Sequence, residues 1–217
     1  LGYPGTLGAD YFDYILGDET VIPRGAEDHF TEKVVRLPQA YQVNDRKRLI
    51  GEVTPSRREE GLPETGFVYC CFNNNFKITP ELFDIWMRIL ASVEGSVLWL
   101  FQDNPSAARN LRAAAEARGV SARRLVFARR VTQPQHLARQ RLADLFLDTL
   151  PYNAHTTASD ALWAGLPLLT CAGRSFASRV AASLLRAVGL PELITENLQD
   201  YEALARRLAM QPDLLRG

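Results

Sequence analysis

The sequence predicts an α/β protein built on a Rossmann-like parallel sheet. From residue 67 onward, short apolar segments alternate with segments of helical length and period. Strict βαβα alternation places the strands parallel, with helices on both faces of the sheet. The predicted strands lie near residues 67–72, 96–101, 124–128, 145–148 and 167–170. The predicted helices lie near residues 80–91, 105–118, 134–142, 157–164, 176–188 and 199–209.

The first 66 residues lack this rhythm. They contain a loop from Gly2 to Gly8, a short strand candidate near Tyr11–Leu16 and the segment Asp28–Tyr41. Residues 45–66 are charged and interrupted by glycine and proline, which predicts a linker or an exposed loop. The chain begins with Leu1 and turn residues, so we expect it to be cut from a larger protein.

Composition bounds the class of protein. The 217 residues are 47% hydrophobic, enough for one large or two small folded units. The 25 Lys and Arg balance the 25 Asp and Glu, so no global field recruits nucleic acid or an acidic membrane. No apolar run reaches the length of a membrane span. Adjacent Cys70 and Cys71 point to opposite faces of a strand, which disfavours a disulfide and favours a reducing, cytoplasmic home.

The segment after the fourth predicted strand is the most informative. Thr156 and Thr157 fall in the first turn of a helix, where unpaired N–H groups and the helix dipole favour an anion. Asp160 adds an acceptor suited to a ribose hydroxyl, and His155 stands at the helix start. These residues predict a nucleotide site. The alternative is that Thr156 is only a helix cap, which leaves His155 without a role.

Two further loops end at the same predicted edge of the sheet. Asn74 and Lys77 follow the first strand, where Lys77 would neutralise phosphate and stabilise a departing diphosphate. After the third strand, His136 would stack on a base while Arg139 bonds to its edge, with Gln133 nearby. Plain solvent exposure of such surface residues remains the alternative.

Other chemistries find little support in the sequence. It contains no Walker A, GxGxxG, CxxC, HExxH or GxSxG pattern and no Asp-x-Asp cluster. We therefore expect Lys77, hydroxyl groups and helix N-termini to balance the anion, and binding to be independent of metal.

Several segments together resemble the O-linked N-acetylglucosamine transferases over nearly the whole chain. These segments are residues 1–6, 72–78, 96–100, 147–149, 153–165 and 177–183. The Ala- and Arg-rich composition is more similar to bacterial than to animal members. The resemblance implies a GT-B fold, in which residues 67–217 form the C-terminal nucleotide-sugar lobe and residues 1–66 the tail of the N-terminal lobe.

The resemblance also implies UDP-N-acetylglucosamine as donor, protein Ser or Thr hydroxyls as acceptors, and inversion at the anomeric carbon. It implies no other cofactor. Lys77 resembles the lysine that stabilises the diphosphate, and His136 and Arg139 resemble the pair beside the uracil. The other implied contacts are the phosphate-binding His155, Thr156 and Thr157, the ribose acid Asp160, and Gly2 and Pro4 near the sugar.

Three positions depart from the family pattern. Gln133 replaces a ribose-contacting Lys, Asn74 replaces a Gln, and Phe76 replaces a Tyr near the sugar. The family's proposed base, its N-lobe histidines and its tetratricopeptide (TPR) repeats are expected before residue 1. We therefore expect this fragment alone not to turn over.

Alternatives to this function stay open. The plant-type protein O-fucosyltransferases, which use GDP-fucose, share the Phe72-Asn73-Asn74 run, whereas His155 and Asp160 favour the UDP branch. A non-catalytic sugar-nucleotide sensor would keep the same pocket, and an epimerase also uses paired Rossmann-like lobes.

Overall fold

A computed structural model of the chain describes residues 3–215. Its β-strands form two sheets. The strands are β1 (Tyr14–Gly17), β2 (Lys33–Arg36), β3 (Val68–Cys71), β4 (Val97–Phe101), β5 (Leu125–Ala128), β6 (Leu145–Leu147), β7 (Leu168–Cys171) and β8 (Ile194–Thr195). The helices are α1 (Pro80–Ser92), α2 (Pro105–Glu116), α3 (Gln133–Arg139), α4 (Thr156–Trp163), α5 (Val180–Ala187) and α6 (Leu198–Met210).

The main sheet has the order β5-β4-β3-β6-β7-β8, and every neighbouring pair is parallel. This confirms the predicted parallel α/β sheet, to which the structure adds the short β8. The chain builds outward from β3 to β5 and then returns to place β6 on the other side of β3. The loops after β3 and β6 therefore flank a topological switch point, where open α/β sheets bind their ligands.

Local sequence explains where the helices begin. Thr79 caps α1 by accepting a hydrogen bond from the N–H of Leu82, and Pro80 occupies the first helical position. Asn104 and Asn197 cap α2 and α6 in the same way. Each predicted helix is present to within a few residues, although residues 140–142 and 176–178 form short 3₁₀ turns.

The core lies between the main sheet and its helices, and β3, β4 and β6 are almost wholly buried. One buried polar chain crosses it: the indole N–H of Trp86 donates to the Tyr201 hydroxyl, which donates to the Asp148 carbonyl at 2.9 Å. Cys70, Cys71 and Cys171 are free and buried, as expected for Cys70 and Cys71.

The N-terminal region packs onto the rest of the chain. Strands β1 and β2 pair in parallel, and Val21 and Ile22 form a small apolar cluster with Phe176 and Val180. The buried carboxylate of Asp18 accepts hydrogen bonds from three backbone N–H groups and from the Ser183 hydroxyl at 2.6 Å.

The prediction of a linker or exposed loop over residues 45–66 is partly wrong. Leu62 is buried in the main core, and Arg48 makes a buried ion pair with Asp160. The backbone N–H of Gly51 donates to the Pro134 carbonyl at 2.9 Å. The segment forms no helix or strand; its first part contacts α3 and α4 through Gly51 and Arg48, and Arg57 further along pairs with Asp144.

Large apolar side chains remain exposed on and around the small sheet. They are Tyr3, Leu7, Tyr11, Phe12, Tyr14, Leu16 and Val35. Grouped exposed apolar residues of this kind mark surfaces that contact another folded unit. Within residues 3–215, no helix has the length and apolar character needed to cross a membrane.

Candidate nucleotide-diphosphate site

The loops after β3 and β6 meet at the switch point of the sheet. The amide of Asn73 donates to the Thr149 hydroxyl at 2.8 Å, and the Thr157 hydroxyl donates to the Asn73 carbonyl oxygen. Asn73 therefore joins the loop after β3 to the start of α4. This contact confirms that two of the three polar loops predicted from the sequence converge.

The N-terminus of α4 is open to a ligand. The helix begins at Thr156, as predicted, and the preceding His155 makes no side-chain cap. The first-turn N–H groups have no partner within the helix, so they and the dipole present positive charge to the loop. Thr156 is exposed at this end. Such a terminus is suited to phosphate.

Lys77 places a cation beside that helix end. Its Nζ donates to the Asn153 carbonyl at 2.8 Å and lies 4.2 Å from the ring centroid of Tyr152. Burial lowers the pKa of Lys77, and Asp148 opposes that shift. A cavity of about 380 Å³ opens here and is lined by Asn73, Asn74, Phe76, Lys77, Tyr152, His155, Thr156 and Thr157.

His155 and Tyr152 form a second aromatic element of the site. Their rings stack, with centroids 4.9 Å apart and planes 25° apart. Nε2 of His155 lies 3.1 Å from the Ala177 carbonyl, which can only accept, so this nitrogen carries the proton. Burial lowers the pKa of His155, which favours the neutral ring. The sequence interpretation selected His155 but missed Tyr152.

The third predicted loop reaches the site through α3. A cavity of about 320 Å³ is lined by Pro4, Tyr41, Gln42, Asn44, Arg48, Gln133, Tyr152, His155 and Thr156, among others. It shares Tyr152, His155 and Thr156 with the Lys77 cavity. Gln133 is exposed at the start of α3, and Pro4 comes from the N-terminal region. Gly2 lies outside the described residues.

His136 and Arg139 are more buried than a surface pair on a helix. The centroids of the His136 and Phe72 rings lie 5.0 Å apart. Burial lowers the pKa of His136 to about 4, and the charge of Arg139 acts in the same direction. Arg139 donates to the Arg129 carbonyl at 2.7 Å and lies 2.9 Å from Nδ1 of His136. Arg139 is 1% exposed, and all three of its guanidinium nitrogens already have hydrogen-bond partners in the protein. A stacking role for His136 and a base-edge contact for Arg139 stay predictions.

Asp160 already has a cation partner. Its carboxylate pairs with the guanidinium of Arg48, which also donates to the Ser159 hydroxyl at 3.2 Å and lies over the Trp163 ring. Both charged side chains are about nine-tenths buried. Burial raises the pKa of Asp160, while Arg48 opposes the shift. The sequence interpretation missed Arg48 because it read residues 45–66 as exposed.

This ion pair gives a testable coupling. Arg48→Met leaves a buried carboxylate without its cation, so we expect the free energy of unfolding to fall by about 2 to 4 kcal/mol. In the Arg48→Met background, Asp160→Asn should recover part of that loss. Urea unfolding of both single variants and the double variant measures the coupling, which should be at least about 1 kcal/mol. Additive losses would mean that the pair is not coupled.

Asp148 anchors the loop that carries these residues. Its carboxylate accepts hydrogen bonds from the N–H groups of Thr149 and Ala154 at 2.7 and 2.6 Å and from the Thr170 hydroxyl at 2.6 Å. Burial nevertheless raises its pKa from 3.8 to about 7. The folded protein therefore holds this proton at pH values where the unfolded chain has lost it.

A pH dependence of stability follows from that shift. Below pH 3.8 the carboxyl is protonated in both states, and its stabilising effect is complete. As the pH rises toward about 7, the unfolded state ionises first and that effect is lost. We expect the stability difference between the native protein and Asp148→Asn to decrease over this interval in denaturant titrations. A difference independent of pH would contradict the raised pKa.

Within residues 3–215, no group of three or more His, Cys, Asp or Glu side chains is arranged to hold a metal ion. The site that the described residues build combines the half-buried Lys77, the exposed Thr156 and an uncapped helix N-terminus, with the His155 ring beside them. The lysine, the Thr156 hydroxyl and the first-turn N–H groups complement a diphosphate, because each offers positive charge or a hydrogen-bond donor.

The chain is similar to several known proteins. It is 39% identical over 223 residues to an Arabidopsis thaliana protein named "Probable UDP-N-acetylglucosamine--peptide N-acetylglucosaminyltransferase SEC", covering 100% of this chain and 23% of that protein. It is 40% identical to a Caenorhabditis elegans UDP-N-acetylglucosamine--peptide N-acetylglucosaminyltransferase, over 74% of this chain and 14% of that protein. The chain therefore spans less than a quarter of either relative.

Two solved glycosyltransferase structures also match this chain. A mutant O-GlcNAc transferase of Thermobaculum terrenum superimposes with a TM-score of 0.83 and 34% identity, over 94% of this chain and 38% of that one. The glycosyltransferase WaaG shares the fold at 20% identity, with a TM-score of 0.55 over 95% of this chain and 60% of that one. The parallel-sheet α/β architecture is that of a GT-B glycosyltransferase.

A family model described as "Glycosyl transferase family 41" matches residues 1–55 and 51–217. These two matches together extend over the whole sequence, including the loops after β3 and β6 and all of α4. The chain belongs to glycosyl transferase family 41.

Proposed function

We propose that the full-length protein is an inverting glycosyltransferase that moves N-acetylglucosamine from UDP-N-acetylglucosamine to Ser or Thr hydroxyls of proteins. One observation carries the proposal: in a family 41 chain, the half-buried cation of Lys77 lies beside the uncapped, hydroxyl-bearing N-terminus of α4. That arrangement complements the charge that a departing UDP acquires at its β-phosphate.

The proposed donor site follows the cavities. The diphosphate lies between Lys77 and the start of α4, where the Thr156 hydroxyl and the first-turn N–H groups supply donors and where His155 and Thr157 line the cavity. The uridine extends toward Gln133, His136 and Arg139, and Asp160 faces the ribose. Asn74 and Phe76 line the Lys77 side of the site, and Pro4 lines the α3 side, near the sugar. Gly2 is proposed near the sugar from sequence alone.

Charge balance in this proposal comes from the protein. Lys77 and the first-turn amides of α4 offset the diphosphate, so transfer needs no bound metal and no cofactor besides the donor. Activity that survives a chelator such as EDTA supports this reading. Activity restored only by adding a divalent cation would contradict it.

We further propose that residues 67–217 act as the nucleotide-sugar lobe and residues 1–66 as the end of the other lobe. The exposed apolar side chains around β1 and β2 support a further folded unit at that surface. A cytoplasmic location, a protein acceptor and TPR repeats elsewhere in the full-length protein are part of the same proposal and rest on the sequence resemblance.

The deciding experiment uses the full-length protein with UDP-N-acetylglucosamine or GDP-fucose and an extract of acceptor proteins. Mass spectrometry should find N-acetylhexosamine on Ser or Thr, with UDP released in equal amount. A deoxyhexose from GDP-fucose would assign the chain to the fucosyl branch. Binding of UDP without transfer or hydrolysis would indicate a sensor, and an epimerised sugar nucleotide an epimerase.

A further inference from the structure

Tyr152 lies between two polar groups of the candidate site. Lys77 Nζ lies 4.2 Å from the centroid of its ring, and the ring of His155 stacks on it at 4.9 Å. The same residue lines both cavities that meet at the start of α4. One aromatic side chain therefore contacts the lysine and the histidine that face the proposed diphosphate.

Hydrogen bonds hold the backbone of the loop that carries Tyr152. The Tyr152 carbonyl accepts a hydrogen bond from the Thr149 hydroxyl at 2.7 Å. The next residue, Asn153, is fully buried, donates its backbone N–H to the Ala177 carbonyl at 3.1 Å and donates its side-chain amide to the Thr149 carbonyl at 2.7 Å. The Asn153 carbonyl in turn accepts from Lys77 at 2.8 Å. The loop thus presents a carbonyl held by hydrogen bonds and, next to it, the Tyr152 ring face to the Lys77 ammonium group.

We propose that Tyr152 is a positioning residue, whose ring face holds the charged Lys77 ammonium against the Asn153 carbonyl and aims it at the donor diphosphate. This inference rests on the proposed function for its catalytic consequence. A lysine side chain has many rotamers, and attraction between its cation and a ring face reduces that freedom while favouring the charged form.

Other groups also act on the Lys77 charge. Asp148 behind the loop and Cys71 at the end of β3 favour the protonated amine, whereas burial disfavours it. His155, which stacks on the Tyr152 ring, is itself held toward neutrality by burial. Removing the aromatic ring leaves these groups in place, so a change in Lys77 after Tyr152 substitution reports on the ring.

The test compares Tyr152→Phe with Tyr152→Leu in the full-length protein. Phe keeps the ring face, so kcat for transfer should stay within about twofold of the native value. Leu removes the face, so kcat should fall by about 3- to 20-fold, with a smaller change in KM. The alkaline limb of the kcat profile should move to lower pH in Tyr152→Leu, because the charged form of Lys77 loses support.

A second measurement does not depend on transfer. Reductive methylation with ¹³C-formaldehyde makes lysines visible by NMR, and the signal absent in Lys77→Met assigns Lys77. Its pKa should fall by about 0.5 to 1 in Tyr152→Leu and stay constant in Tyr152→Phe. This titration tests whether the Tyr152 ring acts on Lys77 even if the native protein transfers no sugar. In that case only the proposed function fails.

The remaining outcomes overturn the inference. Equal losses of kcat in both variants would assign the effect to the hydroxyl group rather than the ring. A Leu variant with native kcat and a native Lys77 pKa would show that the ring positions nothing. Lost activity with an unchanged Lys77 pKa would indicate only a structural role for Tyr152.

Discussion

Lys77→Met in the full-length protein should reduce kcat for sugar transfer by about 100- to 1,000-fold while weakening UDP binding by less than about tenfold. Negative charge on the β-phosphate grows as the glycosidic bond breaks, so a cation fixed beside it stabilises the transition state more than the bound donor. Lys77 is suited to this task because the Asn153 carbonyl and the Tyr152 ring hold it in place. Steady-state kinetics and calorimetric titration with UDP separate the two effects.

Lys47→Met is the matched control, since it removes the same charge from an exposed position. It should leave both kcat and UDP affinity near native values. Equal losses in kcat and in UDP affinity for Lys77→Met would contradict leaving-group stabilisation, because they would mean that Lys77 contributes the same energy to the ground state and the transition state.

Asp148→Ala should lower the free energy of unfolding by about 3 to 5 kcal/mol. The substitution removes the acceptor of the Thr149 and Ala154 N–H groups and of the Thr170 hydroxyl, all in a buried environment. The loop from β6 to α4 carries Tyr152, Asn153 and His155, so its loosening should weaken UDP binding as well. Chemical denaturation and titration with UDP measure the two losses.

Asp148→Asn separates the hydrogen bonds from the charge. Its carbonyl oxygen can still accept from both N–H groups, and its amide can donate to the Thr170 hydroxyl. At acidic pH, where the native carboxyl is also uncharged, we expect a loss of only about 1 kcal/mol, and UDP affinity should be retained. If the Asn variant were as unstable as the Ala variant, the carboxylate itself rather than its hydrogen bonds would hold the loop.

Most of the main sheet could be predicted from the sequence because its signals are local. The apolar runs that became β3 to β7 are short and alternate with segments of helical period, so period defines them without tertiary information, and caps add to that signal at α1 and α2. The two-residue β8 lacked such a signal, since it carries only Ile194 and Thr195. Strand order could not be predicted from period alone, because the reversal between β5 and β6 depends on packing of distant segments.

The candidate site could be predicted only in part, because some of its contacts also depend on the packing of distant segments. Lys77 lies in the segment between β3 and α1, and Thr156 and Thr157 begin the helix after β6, so their convergence at one edge of the sheet could be predicted. The Arg48 contact with Asp160 joins residues 112 positions apart, and no local pattern marks it. Tyr152 resembles any loop aromatic until the fold brings Lys77 and His155 against its ring.

A crystal structure of the full-length protein with UDP tests the central claim most directly. The account predicts the β-phosphate within hydrogen-bond distance of Lys77 Nζ and of the first-turn amides of α4, with the uracil toward α3. A nucleotide bound elsewhere, or one whose diphosphate contacts neither Lys77 nor the start of α4, would contradict it.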